Sequence, residues 1–350
     1  MSFRGVAARP ASLRMVIGTM RTLRYIVLSI LLATMTAWGV LAIYFSYLPD
    51  SIRVYLAGLF AVCSIAALLF IRPRRSGIVI FLGVFAMVLA GWLSMKPSHD
   101  RNWQPDLARL PYATMDGDAI TIHNIRNCDY RTETDFTVRY EDRTYDLSRL
   151  TSFDLFLSDW GLNTIVHTLV SFGFADGRYL CISIETRKEV GEAYSTIKGF
   201  FRQYELIYVV ADERDLIRLR TNYRTGETVY LYRLKPASPE VLKQIFLDYI
   251  RYINGLKQKP EWYNALTGNC TTEIRGHTRP YARRVNWDWR ILANGYVDEL
   301  IYEKGAMDTS LPFEEIKQRS IINAKAKAAD RDPDFSGLIR QGLPGMDLPQ

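Results

Sequence analysis

The chain is poor in the side chains that hold metals. Four of its 350 residues are cysteine and four are histidine. Cys270 and His277 do not stand at a zinc spacing, and no second Cys/His pair completes a set of four ligands. No basic run with interleaved aromatics is present, so the formal net charge of +7 is not read as a nucleic-acid surface. No metal, cofactor or nucleic-acid partner is expected. There is no internal repeat and no low-complexity tract. Charge is missing altogether from 25–48 (YIVLSILLATMTAWGVLAIYFSYL), 54–71 and 77–95. The first of these is long enough to cross a bilayer, and the other two are close to the minimum spanning length. Three in succession argue for an integral membrane anchor rather than a cleaved signal peptide, which has one short apolar core and a small-residue cleavage site.

The charges around these stretches are asymmetric. Arg4, Arg9, Arg14, Arg21 and Arg24 precede the first stretch, and Arg72, Arg74 and Arg75 fill the loop after the second. In the loop after the first, Arg53 is balanced by Asp50. Positive loops stay inside, so the N-terminus is cytoplasmic and everything after Met95 emerges on the far side. For a bacterial chain this predicts a multi-pass inner-membrane protein with a periplasmic C-terminal part. Three regions follow: an anchor of three transmembrane helices over 1–96, one domain over 97–329, and a Pro/Gly-rich tail over 330–350 that is expected to be flexible.

The domain reads as α+β. Residues 119–125 alternate as a half-buried strand does, and 135–147 reads as two short strands about a turn at Glu141 to Arg143. The Ala-Asp-Gly at 175–177 joins two β-rich runs into a hairpin. ELIYVVA (205–211) and ETVYLYRL (227–234) are further strands, with a short helix between them starting at Asp212. Ser238-Pro239-Glu240 opens the clearest helix. Its apolar stripe runs from Leu242 to Ile253, and Gly255 is placed to stop it. A second, more polar helix is expected over 312–329. The sum is an antiparallel sheet with a helix packed on it.

One short stretch carries chemistry. In YNALTGNCTTEIRGH (263–277) Cys270 follows the turn formers Gly268 and Asn269. Asn269 is a strong helix N-cap, which places the thiol at a helix N-terminus where free N–H groups and the macrodipole favour a thiolate. A thiol nucleophile needs a base. His99 sits at the membrane exit and His123 in a strand. His277 would lie roughly 10 Å along the same helix, too far for a direct hydrogen bond. His167 lies in the first strand of the hairpin. If that hairpin centres on Asp176, His167 faces Glu185, a carboxylate able to fix its tautomer and stabilise its charged form. A register slip of a residue or two leaves Ser183 and Arg187 as alternatives. Asn269 and Thr271, which flank the thiol, complete the supporting candidates. Cys128 and Cys181 are either disulfide-bonded or simply buried, and Cys63 lies in the second apolar stretch.

A histidine on a strand followed much later by a cysteine at a helix start reverses the papain order. It resembles the circularly permuted NlpC/P60-like thiol enzymes. More closely, NWQPD (102–106), HTLVSFGF (167–174), SIETRKE (183–189), YELIYVVADERDLIRLRTNYR (204–224), VYLYRL (229–234) and YNALTGNCTTEIR (263–275) resemble the Lnb-type N-terminal periplasmic domain. The resemblance implies a permuted papain-like domain and a membrane-bound acyltransferase. Such an enzyme moves an acyl chain from a phospholipid to a lipoprotein amino terminus, with membrane lipids and lipoproteins as partners. Carried onto this chain, it implies Cys270 as nucleophile, His167 as base and acid, and Glu185 as orienter. The chain departs from the acyltransferase that gave the domain its name by carrying its spans before the domain rather than after it. Two other readings stand beside this one. The first is a cysteine peptidase or amidase acting on peptidoglycan or periplasmic peptides. The second is a non-catalytic envelope binding module.

Overall fold

The computed structural model of the chain describes residues 11–281 and 287–346. Arg4 and Arg9 of the N-terminal charge cluster lie outside the described residues, as do the last four of the tail. The chain divides into two compact units, Met1–Lys96 and Pro97–Gln350.

The first unit is three helices, α1 (Ala11–Tyr44), α2 (Asp50–Phe70) and α3 (Arg74–Ser94), each long and apolar enough to cross a membrane. Most of their apolar side chains point outward, as a lipid-facing surface requires, and the inner cluster is built on Leu32, Phe60 and Phe81. The helices approach closely where small residues permit it. A Cβ on Gly77 would stand 2.2 Å from the Ala67 carbonyl oxygen.

The second unit is built on one mixed sheet. Its strands are β1 (Tyr112–Asp116) and β2 (Ala119–Arg126), then β5 (Tyr140–Asp146), β6 (Leu150–Asp159), β7 (His167–Phe174), β8 (Tyr179–Arg187), β9 (Glu205–Ala211) and β10 (Thr228–Leu234). Between β2 and β5 lies a short ribbon of β3 (Asp129–Tyr130) and β4 (Phe136–Thr137). The order across the sheet is β1-β2-β9-β8-β7-β6-β10, with β5 also paired to β2. Every pairing is antiparallel except the single parallel contact of Arg126 with Ala211. Among the described residues the second unit's helices are, in chain order, α4 (Thr196–Phe200), α5 (Glu213–Arg218), α6 (Pro239–Gln258), α7 (Cys270–Thr278), α8 (Val297–Glu303), α9 (Phe313–Arg319), α10 (Asn323–Ala328) and α11 (Phe335–Leu338).

Strand alternation gives the sheet two covered faces. On one, Phe172, Ile182 and Tyr208 pack under Phe246 and Tyr249 of α6, the amphipathic helix that Ser238 caps. On the other, Leu169, Cys181 and Val209 pack under Leu216 and Ile217 of α5 together with Ile322, Phe335 and Ile339. The hairpin of β7 and β8 turns at Gly177, whose φ of 79° needs glycine. It pairs Leu169 with Ser183 through to Gly173 with Tyr179, the register that centring on Asp176 gives.

Four expectations are corrected here. Residues 140–146 form one strand rather than turning at 141–143, because pairing with β2 continues through them, with a bulge between Ile122 and Ile125 opposite Arg143 and Glu141. The helix over 312–329 is broken between α9 and α10. There the backbone leaves the helix to bond to β10, Leu231 N–H to Ser320 and Ile322 N–H to Val229. The helix from Ser238 runs past Gly255 to Gln258, since a glycine inside a well-packed helix costs only ~1 kcal/mol. The tail is packed down to Met346 rather than loose. Phe335 and Ile339 are fully buried, and the Arg340 guanidinium bridges Asp154 and Glu213 across the α5 face. The strand 150–159, which no turn signal delimits, pairs between β7 and the edge strand β10.

Candidate active site

The local sequence sets the thiol as expected. Asn269 has extended backbone angles and caps α7, its side chain accepting from the N–H of Thr271 and of Thr272. The Thr272 hydroxyl accepts in turn from the Asn269 N–H. Cys270 is therefore the first residue of the helix, and its N–H is the one that the cap does not use. Thr271, next to the thiol, is bonded through its hydroxyl to Thr168 of β7 at 3.2 Å. These contacts fix α7 against the start of β7, where His167 is the first residue.

His167 connects two sides of the sheet at that end. Ser183 and Glu185 stand on the face covered by α5, and Cys270 approaches with α7 from the face covered by α6. The Ser183 hydroxyl donates to Glu185 Oε1 at 2.7 Å and lies 2.7 Å from His167 Nε2. With the hydroxyl hydrogen given to the carboxylate, Nε2 must be the donor to Ser183. That leaves Nδ1 as the ring nitrogen free to interact with the nearby Cys270 thiol. Nε2 is also 3.4 Å from Glu185 Oε1. Glu185 in turn takes a bond from Arg220 Nη2 at 2.9 Å, and Arg220 is buried on the π-helical turn Leu219–Tyr223 after α5.

The electrostatics follow from these distances. Burial opposes charge on both partners, yet each is held charged by the other. The thiol of Cys270 is brought down to about 7 by the adjacent imidazole. The imidazole is pushed up to about 9 by the thiolate and by Glu185. Glu185 is itself held well below the usual carboxylate range by its bonds to His167 and by Arg220, against burial. Between those two values the pair stands as thiolate and imidazolium.

Asn294 is a site residue that the sequence did not disclose. Its side-chain amide pairs with both backbone groups of Val166, accepting from N–H at 2.9 Å and donating to C=O at 2.8 Å. The same Nδ2 donates to Thr271 Oγ1 at 2.7 Å and lies 4.0 Å from the Cys270 sulfur. It ties the strand that bears His167 to the helix that bears Cys270. Neither Arg220 nor Asn294 had a local signal, since each acts across more than twenty residues of chain.

The remaining expectations divide. Arg187 is not at the site. It bonds the carbonyls of Leu107 and Ala108 and lies over the Trp103 ring at 4.2 Å. His123 pairs with Asp142, and His277 with the Tyr208 hydroxyl. All four cysteines are free. Cys128 is buried with Tyr130 and Leu219, whereas Cys181 belongs to the core under α5. Among the described residues no group of three or more His, Cys, Asp or Glu is placed to hold a metal ion.

Fold and site together define a mixed α+β domain that bears a cysteine–histidine–carboxylate constellation, with the cysteine buried and its two partners half-buried, and that follows three apolar helices. Residues 136–295 match the Lnb N-terminal periplasmic domain, a segment that contains His167, Ser183, Glu185, Arg220, Cys270 and Asn294. That segment is similar to an Lnb N-terminal periplasmic domain, and the three helices ahead of it are each long and apolar enough to cross a membrane. No curated protein and no solved structure matches it.

Proposed function

We propose that this domain is a cysteine acyltransferase of the bacterial inner membrane, taking an acyl chain from a phospholipid and passing it to an amine such as a lipoprotein amino terminus. One observation carries the reading: a thiol brought down to about 7 beside an imidazole that Ser183, Glu185 and Arg220 hold in place. The order of His167 before Cys270, with the cysteine helix packed on the histidine strand, supports a permuted papain-like arrangement.

In this reaction the Cys270 thiolate attacks the ester carbonyl carbon and a C–S bond forms. The oxyanion is met by the Cys270 N–H at the start of α7. As the tetrahedral species collapses, the C–O bond breaks and the His167 imidazolium gives its proton to the departing lysolipid. In the second half an amine attacks the thioester, a C–N bond forms and the C–S bond breaks. His167 takes the amine proton, and the thiolate is regenerated. Water in place of the amine would make the same site a hydrolase. The anchor favours transfer, because it keeps the site beside lipid donors.

Intact-mass measurement of the full chain purified from its membranes tests the reading, beside Cys270→Ala and His167→Ala. A hydroxylamine-sensitive acyl adduct on the wild type, missing from Cys270→Ala, is expected. Absence of any adduct with added phospholipid would sink the lipid donor and turn the site toward peptide or peptidoglycan cleavage.

A further inference from the structure

Among the described residues of the second unit, every exposed large apolar side chain except Met115 falls on four segments. The first, 160–166, carries Leu162 and Ile165, has no charge and runs directly into His167. The second joins β8 to β9 and exposes Val190, Tyr194, Ile197 and Phe200. The third is the turn before Cys270, with Leu266, and the fourth leads into Asn294 with Trp289 and Leu292. These segments are neighbours in space. Gly295 donates its N–H to the Thr164 carbonyl, and a Cβ there would stand 2.0 Å from the Asn163 oxygen. Gly199 of the second segment lies against Tyr263 and Ala265 of the third. Because the first runs into His167, the third into Cys270 and the fourth into Asn294, together they make an apolar collar beside the Cys270–His167 site. Single exposed apolar residues are ordinary, but a contiguous patch of this kind marks a binding surface.

The chain itself indicates what covers the collar. The last apolar helix ends at Ser94, and the second unit begins at Pro97, a link of at most ~11 Å. The first residues of the unit are bonded to the second collar segment. Val190 donates its N–H to the Asn102 carbonyl, and the Gln104 amide donates to the carbonyls of Glu189 and Glu192. The second collar segment is thus held against the stretch by which the chain enters this unit. Its mixture of Trp and Tyr with Leu, Ile and Phe is the composition of a surface that sits at the boundary of headgroups and hydrocarbon.

We infer that the collar docks the Cys270–His167 site onto the surface of the bilayer that the same chain spans, with its apolar side chains in the interfacial layer. Phospholipid ester carbonyls lie at that depth, so docking would present them to the thiolate. That consequence rests on the acyl-transfer reading, whereas the docking itself does not.

The test uses the full chain reconstituted in vesicles of phosphatidylethanolamine and phosphatidylglycerol containing a phosphatidylcholine with a diazirine in its acyl chain. After illumination, adducts are mapped by peptide mass spectrometry. Adducts on 160–166, 190–200 and 287–292 are expected beside those on the spans, and equally in Cys270→Ala. Adducts confined to the spans would overturn the inference. Leu162→Asp combined with Ile197→Asp is expected to cut collar adducts by roughly tenfold or more. Cys270 alkylation by soluble iodoacetamide should stay unchanged, which shows that the variant is folded. Unchanged collar adducts in that variant would also overturn it. A docked collar with no acyl adduct on Cys270 would leave this inference standing and remove the proposed chemistry.

Discussion

The Ser183 hydroxyl stands between His167 and Glu185, 2.7 Å from the imidazole Nε2 and donating at 2.7 Å to the carboxylate. The base is therefore oriented through a hydroxyl, with the carboxylate itself reaching Nε2 only at 3.4 Å. Removing the relay and removing the charge should then have different effects. Ser183→Ala deletes one hydrogen bond and should slow acyl transfer by about 5-fold. Glu185→Gln removes the charge that supports the imidazolium and should cost ~10²-fold. Single-turnover thioester formation measures both, and equal losses would remove the relay.

The rate of Cys270 alkylation should rise as pH passes about 7, where the thiol gives up its proton. Acyl transfer should fall again as pH passes about 9, where His167 loses the proton it must donate. Because the two groups titrate together, the limbs belong to the pair. Glu185→Gln should move the alkaline limb downward, since a lost carboxylate no longer holds the imidazolium. A pH–rate profile with iodoacetamide and with acyl donor reads both limbs.

Arg220 is buried and answers Glu185. Arg220→Met leaves the carboxylate without its cation and should lower stability by ~3 kcal/mol. Combining it with Glu185→Gln should recover part of that loss. Thermal unfolding of the full chain in detergent measures the cycle, and simple additivity would show that the pair is not coupled.

Asn294 holds Val166 and Thr271 together. Asn294→Ala leaves the Val166 N–H and C=O unanswered and should cost ~2 kcal/mol. Asn294→Asp keeps the acceptor but cannot donate to Val166 or Thr271. It should therefore retain more stability than Asn294→Ala while losing acyl transfer. Comparing unfolding temperatures with thioester yield separates the two roles.

His277 is buried on α7 against Tyr249, with its Nε2 2.8 Å from the Tyr208 hydroxyl and Glu273 close by. Burial pushes its imidazole down to about 4, from an ordinary value of 6.5. Above about 6.5 neither folded nor unfolded chain is protonated there, so the residue gives no pH dependence. As pH falls from about 6.5 to about 4 only the unfolded chain gains the proton, and stability drops by up to ~3 kcal/mol. In His277→Gln the fall in unfolding temperature between pH 7 and pH 4.5 should be smaller than in the wild type.

Much of this protein was legible because its signals are local. An uncharged run of that length predicts an apolar helix long enough to cross a bilayer whatever surrounds it. Asn269 caps α7 through N–H groups two and three residues away, and the Ala-Asp-Gly turn fixes the register of β7 on β8, so Cys270, His167, Ser183 and Glu185 could be named from spacing. Arg187 was misplaced because strand parity gives a face but not a distance along it. Its guanidinium is taken by the carbonyls before β1.

The sequence by itself determined the three apolar helices, the cap that exposes the thiol at a helix start, and the hairpin that aligns the histidine with its carboxylate. Each is set by hydrogen bonds or hydropathy within a few residues. Only the tertiary structure decided that α7 lies on the start of β7, that Arg220 and Asn294 complete the site, and that the tail folds back through Arg340 onto Asp154 and Glu213. Those contacts join positions far apart in the chain. Long-range burial and charge pairing choose them, and no spacing records either.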